Sequence, residues 1–270
     1  MKLAALAAAS VTLVLASSAG AATRHVVETA AAGTVRADFA YDCCFANLHL
    51  TISRNGSVLL DEAIQPPIRD EEIQPARYFA HKKSLAVRDL DGGGEPEVML
   101  DLYTGGAHCC WYTEVYHYSA AGNSYVLTTH GWGNVEYRLS DLDHDGLPEL
   151  VSGDDRFAYV FTDFAGSSFP LQIWHYRGAF NDVTRRFPAR IRRDARRQWH
   201  WALAKPTRTD NRGYLAAWTA DRCLLRHCAA AFKRLDLLRR RGQIAKGWDR
   251  NPRRYVRHLR RFLHRTGYLR

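Results

Sequence analysis

Residues Asp141 to Glu149 read Asp-Leu-Asp-His-Asp-Gly-Leu-Pro-Glu, with carboxylates at alternate positions and a glutamate at the close. A hard cation such as Ca²⁺ takes about six to eight oxygen ligands at short range. Asp141, Asp143 and Asp145 offer alternate side-chain oxygens, the carbonyl of Leu147 can point inward, and Glu149 can complete the shell. Gly146 permits the sharp turn because it has no Cβ to clash. Three aspartates in one turn repel each other unless a cation neutralises them. The spacing is shorter than the twelve-residue EF-hand loop, and the flanking residues read as strands rather than helices, so an EF-hand is not expected.

A second, weaker loop lies 52 residues earlier. Asp89-Leu-Asp-Gly-Gly-Gly-Glu-Pro-Glu97 matches the first in its Asp, Leu, Asp, Gly, Pro and Glu positions. Its candidate ligands are Asp89, Asp91, Glu95 and Glu97. Gly93 stands where the other loop has a third carboxylate, and Glu95 stands at the carbonyl position. His117-Tyr118 and His175-Tyr176 recur at an offset of 58, which implies an insertion between Asp154 and Pro170 in the second copy. Recurrence at matching strand positions points to a packing role for the two histidines.

The elements that must position these loops are strands. Alternating, β-branched and aromatic runs at 85–89, 98–103, 113–118 and 124–129, punctuated by Gly, Asn and Asp, predict four short strands for the first copy. Runs at 135–140, 150–151, 159–161, 171–176 and 181–184 predict the second. Upstream, Leu48 to Ile52 and Val58 to Leu60 flank Asn55-Gly56, a strong hairpin signal. This region is expected to be a degenerate third unit, followed by a connecting loop over 65–74.

On these motifs the two copies, covering roughly residues 80–185, resemble FG-GAP/VCBS repeats, the calcium-loop blades of integrin-α-type β-propellers. The resemblance implies four-stranded blades, a structural Ca²⁺ at each intact loop, and adhesive or carbohydrate-associated roles outside the cell. It assigns no reaction. A propeller needs about four blades to close, so an open arrangement of two or three is expected.

The chain changes character after Thr184. Residues 176–270 hold 27 Lys and Arg against 6 Asp and Glu, whereas residues 1–175 hold 11 against 22. Apolar residues at helical spacing (Ile191 to Ala202, Leu215 to Leu235, Tyr255 to Leu263) predict three amphipathic helices with arginine outward. The basic region either docks on the acidic one or meets an outside anion.

Lys2, an apolar run from Leu3 to Ala16 and the small residues Ala19-Gly20-Ala21 have the layout of a secretory signal peptide. No later stretch is apolar enough to span a bilayer. Six cysteines in an exported chain favour disulfides. The expected pairing joins Cys43 and Cys44 to Cys109 and Cys110, and Cys223 to Cys228. His108 beside Cys109 and Cys110 also reads as a soft-metal set, but export favours the disulfides.

The organisation expected is therefore a signal peptide (1–21), an N-terminal β region (22–80), two repeats (81–185) and a basic helical domain (186–270). The fold class is mainly β with an α-helical C-terminal region. The expected function is a secreted, non-enzymatic, calcium-stabilised binding or adhesion module. Its ligand would be extracellular, a carbohydrate or an anionic polymer, rather than nucleic acid. The alternatives are a secreted hydrolase, for which no catalytic residue stands out, and anionic-polymer or cell-surface binding through the basic helices.

Overall fold

The computed structural model describes residues 24–43, 45–66, 72–79, 83–107, 109–204, 210–246 and 251–269. The expected signal peptide, Cys44 and His108 lie outside them. The described residues form three antiparallel sheets, then four α-helices.

The first sheet is a meander of β1 (His25–Ala32), β2 (Val35–Asp42), β3 (Ala46–Arg54) and β4 (Ser57–Ala63). Strict alternation buries Val35, Ala37, Phe39 and Tyr41 of β2 and Leu48, Leu50 and Ile52 of β3. Asn55 and Gly56, at φ 51° and 80°, make the β3–β4 turn that the Asn-Gly pair predicts. The expected degenerate unit is thus a complete four-stranded sheet, because β1 and β2 join the hairpin read from sequence.

The second sheet orders β5 (Gln74–Pro75), β7 (Glu97–Tyr103), β8 (Trp111–Ser119) and β9 (Ser124–Gly133), with β6 (Leu85–Arg88) also pairing β7. The third orders β10 (Arg138–Ser140), β11 (Glu149–Gly153), β12 (Leu171–Tyr176) and β13 (Phe180–Asp182). All of β7 is buried, and its alternation serves two cores. Val98, Leu100 and Leu102 pack with the first sheet, whereas Met99 packs with Leu150 and Tyr176 of the third. The three sheets are therefore stacked in chain order, and they close neither a barrel nor a propeller.

Polar groups on the Met99 side of β7 are satisfied across that second core. Tyr137 donates to both oxygens of Asp101 at 2.9 Å, Thr113 Oγ1 donates to Asp101 at 2.5 Å, and Trp132 Nε1 donates to Thr113 at 2.8 Å. Three of these four side chains are at most 7% exposed and Thr113 is fully buried, so each bond replaces hydration lost on folding.

The insertion predicted between Asp154 and Pro170 is present, but residues 159–161 are not a strand. A short 3₁₀ turn at Asp155–Phe157 opens the segment. Phe157 and Phe161 then leave the sheet and enter the helical core with Phe262 and Tyr255. Within that run only Phe161 is buried, and its partners are helices rather than a strand.

The helices are α1 (Pro188–Ala204), α2 (Arg212–Leu224), α3 (Cys228–Arg240) and α4 (Pro252–Arg265). The middle helix expected from Leu215 to Leu235 is two, broken where Arg226 takes a positive φ of 63°. The expected Cys223–Cys228 disulfide spans that break. Cys109 and Cys110 are joined to each other rather than to Cys43, and Cys44 lies outside the described residues. In α4, Pro252 stands in the first turn, and the Asn251 side chain accepts from the N–H groups of Arg253 and Arg254. Among the described residues no helix is long and apolar enough to cross a membrane.

Candidate metal centre

Each acidic loop is a strand-to-strand turn, between β6 and β7 in the first copy and between β10 and β11 in the second. Their backbones match. Gly92 and His144 occupy corresponding positions at φ 82° and 63°, and Gly94 and Gly146 do so at 78° and 88°. Their internal hydrogen bonds match as well. The N–H of Gly94 donates to Asp89 at 2.9 Å and that of Gly146 to Asp141 at 3.1 Å. Leu90 and Leu142 donate to Glu97 and Glu149, each at 2.8 Å. The first aspartate and the last glutamate of the motif thus shape the turn besides offering oxygens.

The two loops are neighbours. The Leu147 side chain lies against Gly92, where an added Cβ would stand 3.0 Å from it. Arg177 touches both loops: its guanidinium donates to the Leu90 carbonyl at 2.7 Å and lies 3.6 Å from the Asp145 carboxylate.

In the second loop, oxygens of Asp141, Asp143 and Glu149 lie within 4.8 Å of one another. Asp141 Oδ1 is buried and accepts no hydrogen bond among the described residues. Burial, and then the charges of Asp143 and Asp145, hold the Glu149 carboxyl above its ordinary range, against the opposing Leu142 N–H. Asp143 also meets Arg186 at 3.2 Å. One expected ligand is placed differently. Asp145 accepts from the Leu147 N–H at 2.9 Å and faces Arg177, so its carboxylate stands outside the converging trio. The Leu147 side chain packs on Gly92.

The first loop gathers a different set: Asp91, Glu97 and His117, again with ligand atoms within 4.8 Å. His117 Nδ1 lies 3.2 Å from Glu97, which is only 1% exposed. Burial raises the Glu97 carboxyl despite the Leu90 N–H and His117. Glu95, expected as a ligand, is held instead by a two-pronged bond from Arg54 at 2.8 and 3.0 Å, which joins this loop to the first sheet. Asp89 is occupied by the N–H groups of Asp91, Gly92 and Gly94.

His117, expected to serve packing, therefore belongs to the site. The signal for it was strand register. Val98 pairs with Tyr116 and Leu150 with Trp174. One residue further along each pair, Glu97 faces His117 and Glu149 faces His175. His175 is held below the ordinary imidazole range, first by burial and then by Arg177 and Arg186, and it does not join the second trio.

No protein-family model matches the chain, and no solved structure matches it. Over 171 residues, 61% of this chain, it is 30% identical to a probable thylakoid lumen protein of Synechocystis, of which it covers 46%. Over 191 residues, 65% of this chain, it is 32% identical to an uncharacterized protein of Sinorhizobium fredii, of which it covers 27%. The chain thus spans less than half the length of either relative.

Proposed function

We propose that this chain is an extracytoplasmic binding module whose paired acidic loops hold divalent cations, with Ca²⁺ at the second, as staples between the second and third sheets. Two observations carry the reading: ligand atoms of Asp141, Asp143 and Glu149 converge within 4.8 Å, and Asp141 Oδ1 is buried without a hydrogen-bond donor among the described residues. A buried anionic oxygen without a partner is costly, and a divalent cation among these three carboxylates removes that cost. Arg177 and Arg186 offset part of the loop's charge from outside the trio. The location is supported by the relative named as a probable thylakoid lumen protein and by the signal-like start of the chain. The FG-GAP/VCBS resemblance agrees with a structural use of the cation, and under it ligand binding is performed elsewhere on the molecule.

A hydrolase reading finds less support. The cleft between the third sheet and α1 is lined by Asp194, Arg197 and Gln198 among others. Asp194 in that lining is itself engaged by Arg197 and Gln198.

Thermal melts of the full chain in EDTA and in millimolar Ca²⁺ test the proposal. A ligand at about a hundred times its Kd stabilises the folded state by about 2.7 kcal/mol. We expect a clear rise in Tm with Ca²⁺ that Asp143→Ala and Asp141→Asn abolish. An unchanged Tm in the wild type, or an equal rise in both variants, would sink it.

A further inference from the structure

The helical region carries far more cations than its acids can pair. Asp194 pairs with Arg197, Asp210 with Arg212, and Asp236 with Arg239 and Arg240, while Asp182 bonds to Thr184. Along α4, Arg254, Arg257 and Arg261 recur at i, i+3 and i+7, one stripe of the helix. All three are exposed, and none forms an ion pair among the described residues. The first turn of α4 contains no acid but two arginines, Arg253 and Arg254, at the end where the helix dipole disfavours cations. That placement works against the helix, and an anion held by the two guanidinium groups offsets it.

The stripe borders a groove of about 850 Å³ between α4 and the inserted segment of the second repeat. Phe161 and Tyr255 form its apolar wall, both nearly buried, and Tyr159 presents a ring that is 52% exposed. The volume lies within the range of about 300–1,000 Å³ typical of small-ligand sites. Guanidinium groups recognise carboxylate and sulfate oxygens in two-pronged fashion, and an exposed aromatic face offers an apolar surface to a ring. The concave shape admits a segment of chain, whereas a flat bilayer surface would meet only the rim.

We propose that this groove binds an anionic polysaccharide segment, with Arg254, Arg257 and Arg261 on its acidic groups and Tyr159 against a sugar ring. The site shares no residue with the acidic loops, so it stands or falls separately from the cation reading: Asp143→Ala tests the loops, and α4 variants test the groove.

Calorimetric titration of the full chain with a heparin-derived tetrasaccharide, oligogalacturonate, neutral maltotetraose, inorganic phosphate and anionic phospholipid vesicles tests it. At low salt we expect binding of at least one acidic oligosaccharide that weakens steeply as salt rises. The double variant Arg257→Glu/Arg261→Glu should weaken it at least tenfold. The control Lys233→Glu/Arg241→Glu, equal in charge change and also exposed, should weaken it less than threefold. Tyr159→Ala should lower sugar affinity without changing that for phosphate. Equal loss in the two double variants would mean diffuse charge and overturn the site. So would acidic-sugar binding no tighter than that of maltotetraose or phosphate, or binding to the vesicles alone.

Discussion

His117 faces Glu97 across the β7–β8 pair, with Nδ1 3.2 Å from the buried carboxylate, and so brings a nitrogen into a site otherwise made of oxygens. In the second repeat His175 has the corresponding place opposite Glu149, but the trio there is all carboxylate. Equivalent backbones thus carry two different donor sets. Imidazole suits transition metals, whereas all-oxygen sets suit Ca²⁺.

The first prediction follows from that difference. His117→Ala should leave the Ca²⁺-dependent rise in Tm unchanged and abolish a rise produced by Zn²⁺ or Ni²⁺. Melts of wild type and variant in each metal, against an EDTA baseline, decide it. A variant that loses the Ca²⁺ response instead would place calcium in the first loop.

Tyr137→Phe removes the hydroxyl that donates to both oxygens of Asp101. The volume barely changes, so the effect reads the hydrogen bonds. Thr113 still donates to Asp101, so the loss is that of one hydrogen bond to a charged group, about 1.5–3 kcal/mol, and urea denaturation should show a lower midpoint with an unchanged m-value. A loss below about 0.5 kcal/mol would mean that water replaces the phenol.

Gly213→Ala separates packing from helix propensity. In the interior of an exposed helix this change is favourable by about 0.8–1 kcal/mol. Here a Cβ would stand 2.1 Å from the Gly166 carbonyl, backbone against backbone. Overpacking of this kind costs about 1–3 kcal/mol, so we expect net destabilisation. A stabilised variant would show that the inserted segment does not pack tightly on α2.

Asp221 is fully buried, and its carboxyl is held well above the ordinary range, first by burial and then by Asp194. The folded state therefore keeps a proton that the unfolded chain releases near pH 3.9, to within about a unit. Stability falls as pH rises from that value towards the raised folded one. Asp221→Asn removes the titration. Its Tm relative to wild type should become steadily more favourable as pH rises above about 4 towards the raised folded value; a difference that stays flat with pH would refute the assignment.

Much of the candidate site was legible because its contacts are local. The Asp141–Gly146 and Glu149–Leu142 bonds close within eight residues, so residue type and spacing suffice to specify them. The Asn55-Gly56 turn is legible for the same reason. Glu95 was not, because Arg54 reaches it from 41 residues away on another sheet. Nor was the course of residues 159–161, where Phe161 is buried against α4 rather than against a strand partner.

The sequence by itself determined two equivalent acidic turns, the strand units that carry them, and a basic helical region, since repetition, alternation and turn chemistry are properties of short stretches. Only the tertiary structure decided which side chains complete each turn. Strand register set His117 against Glu97, and Arg54 and Arg177 drew Glu95 and Asp145 out of the converging sets. It also set the two loops side by side through Leu147 and Gly92. These are contacts between groups distant in the chain, and pairing and packing energies choose among them only once the sheets have stacked.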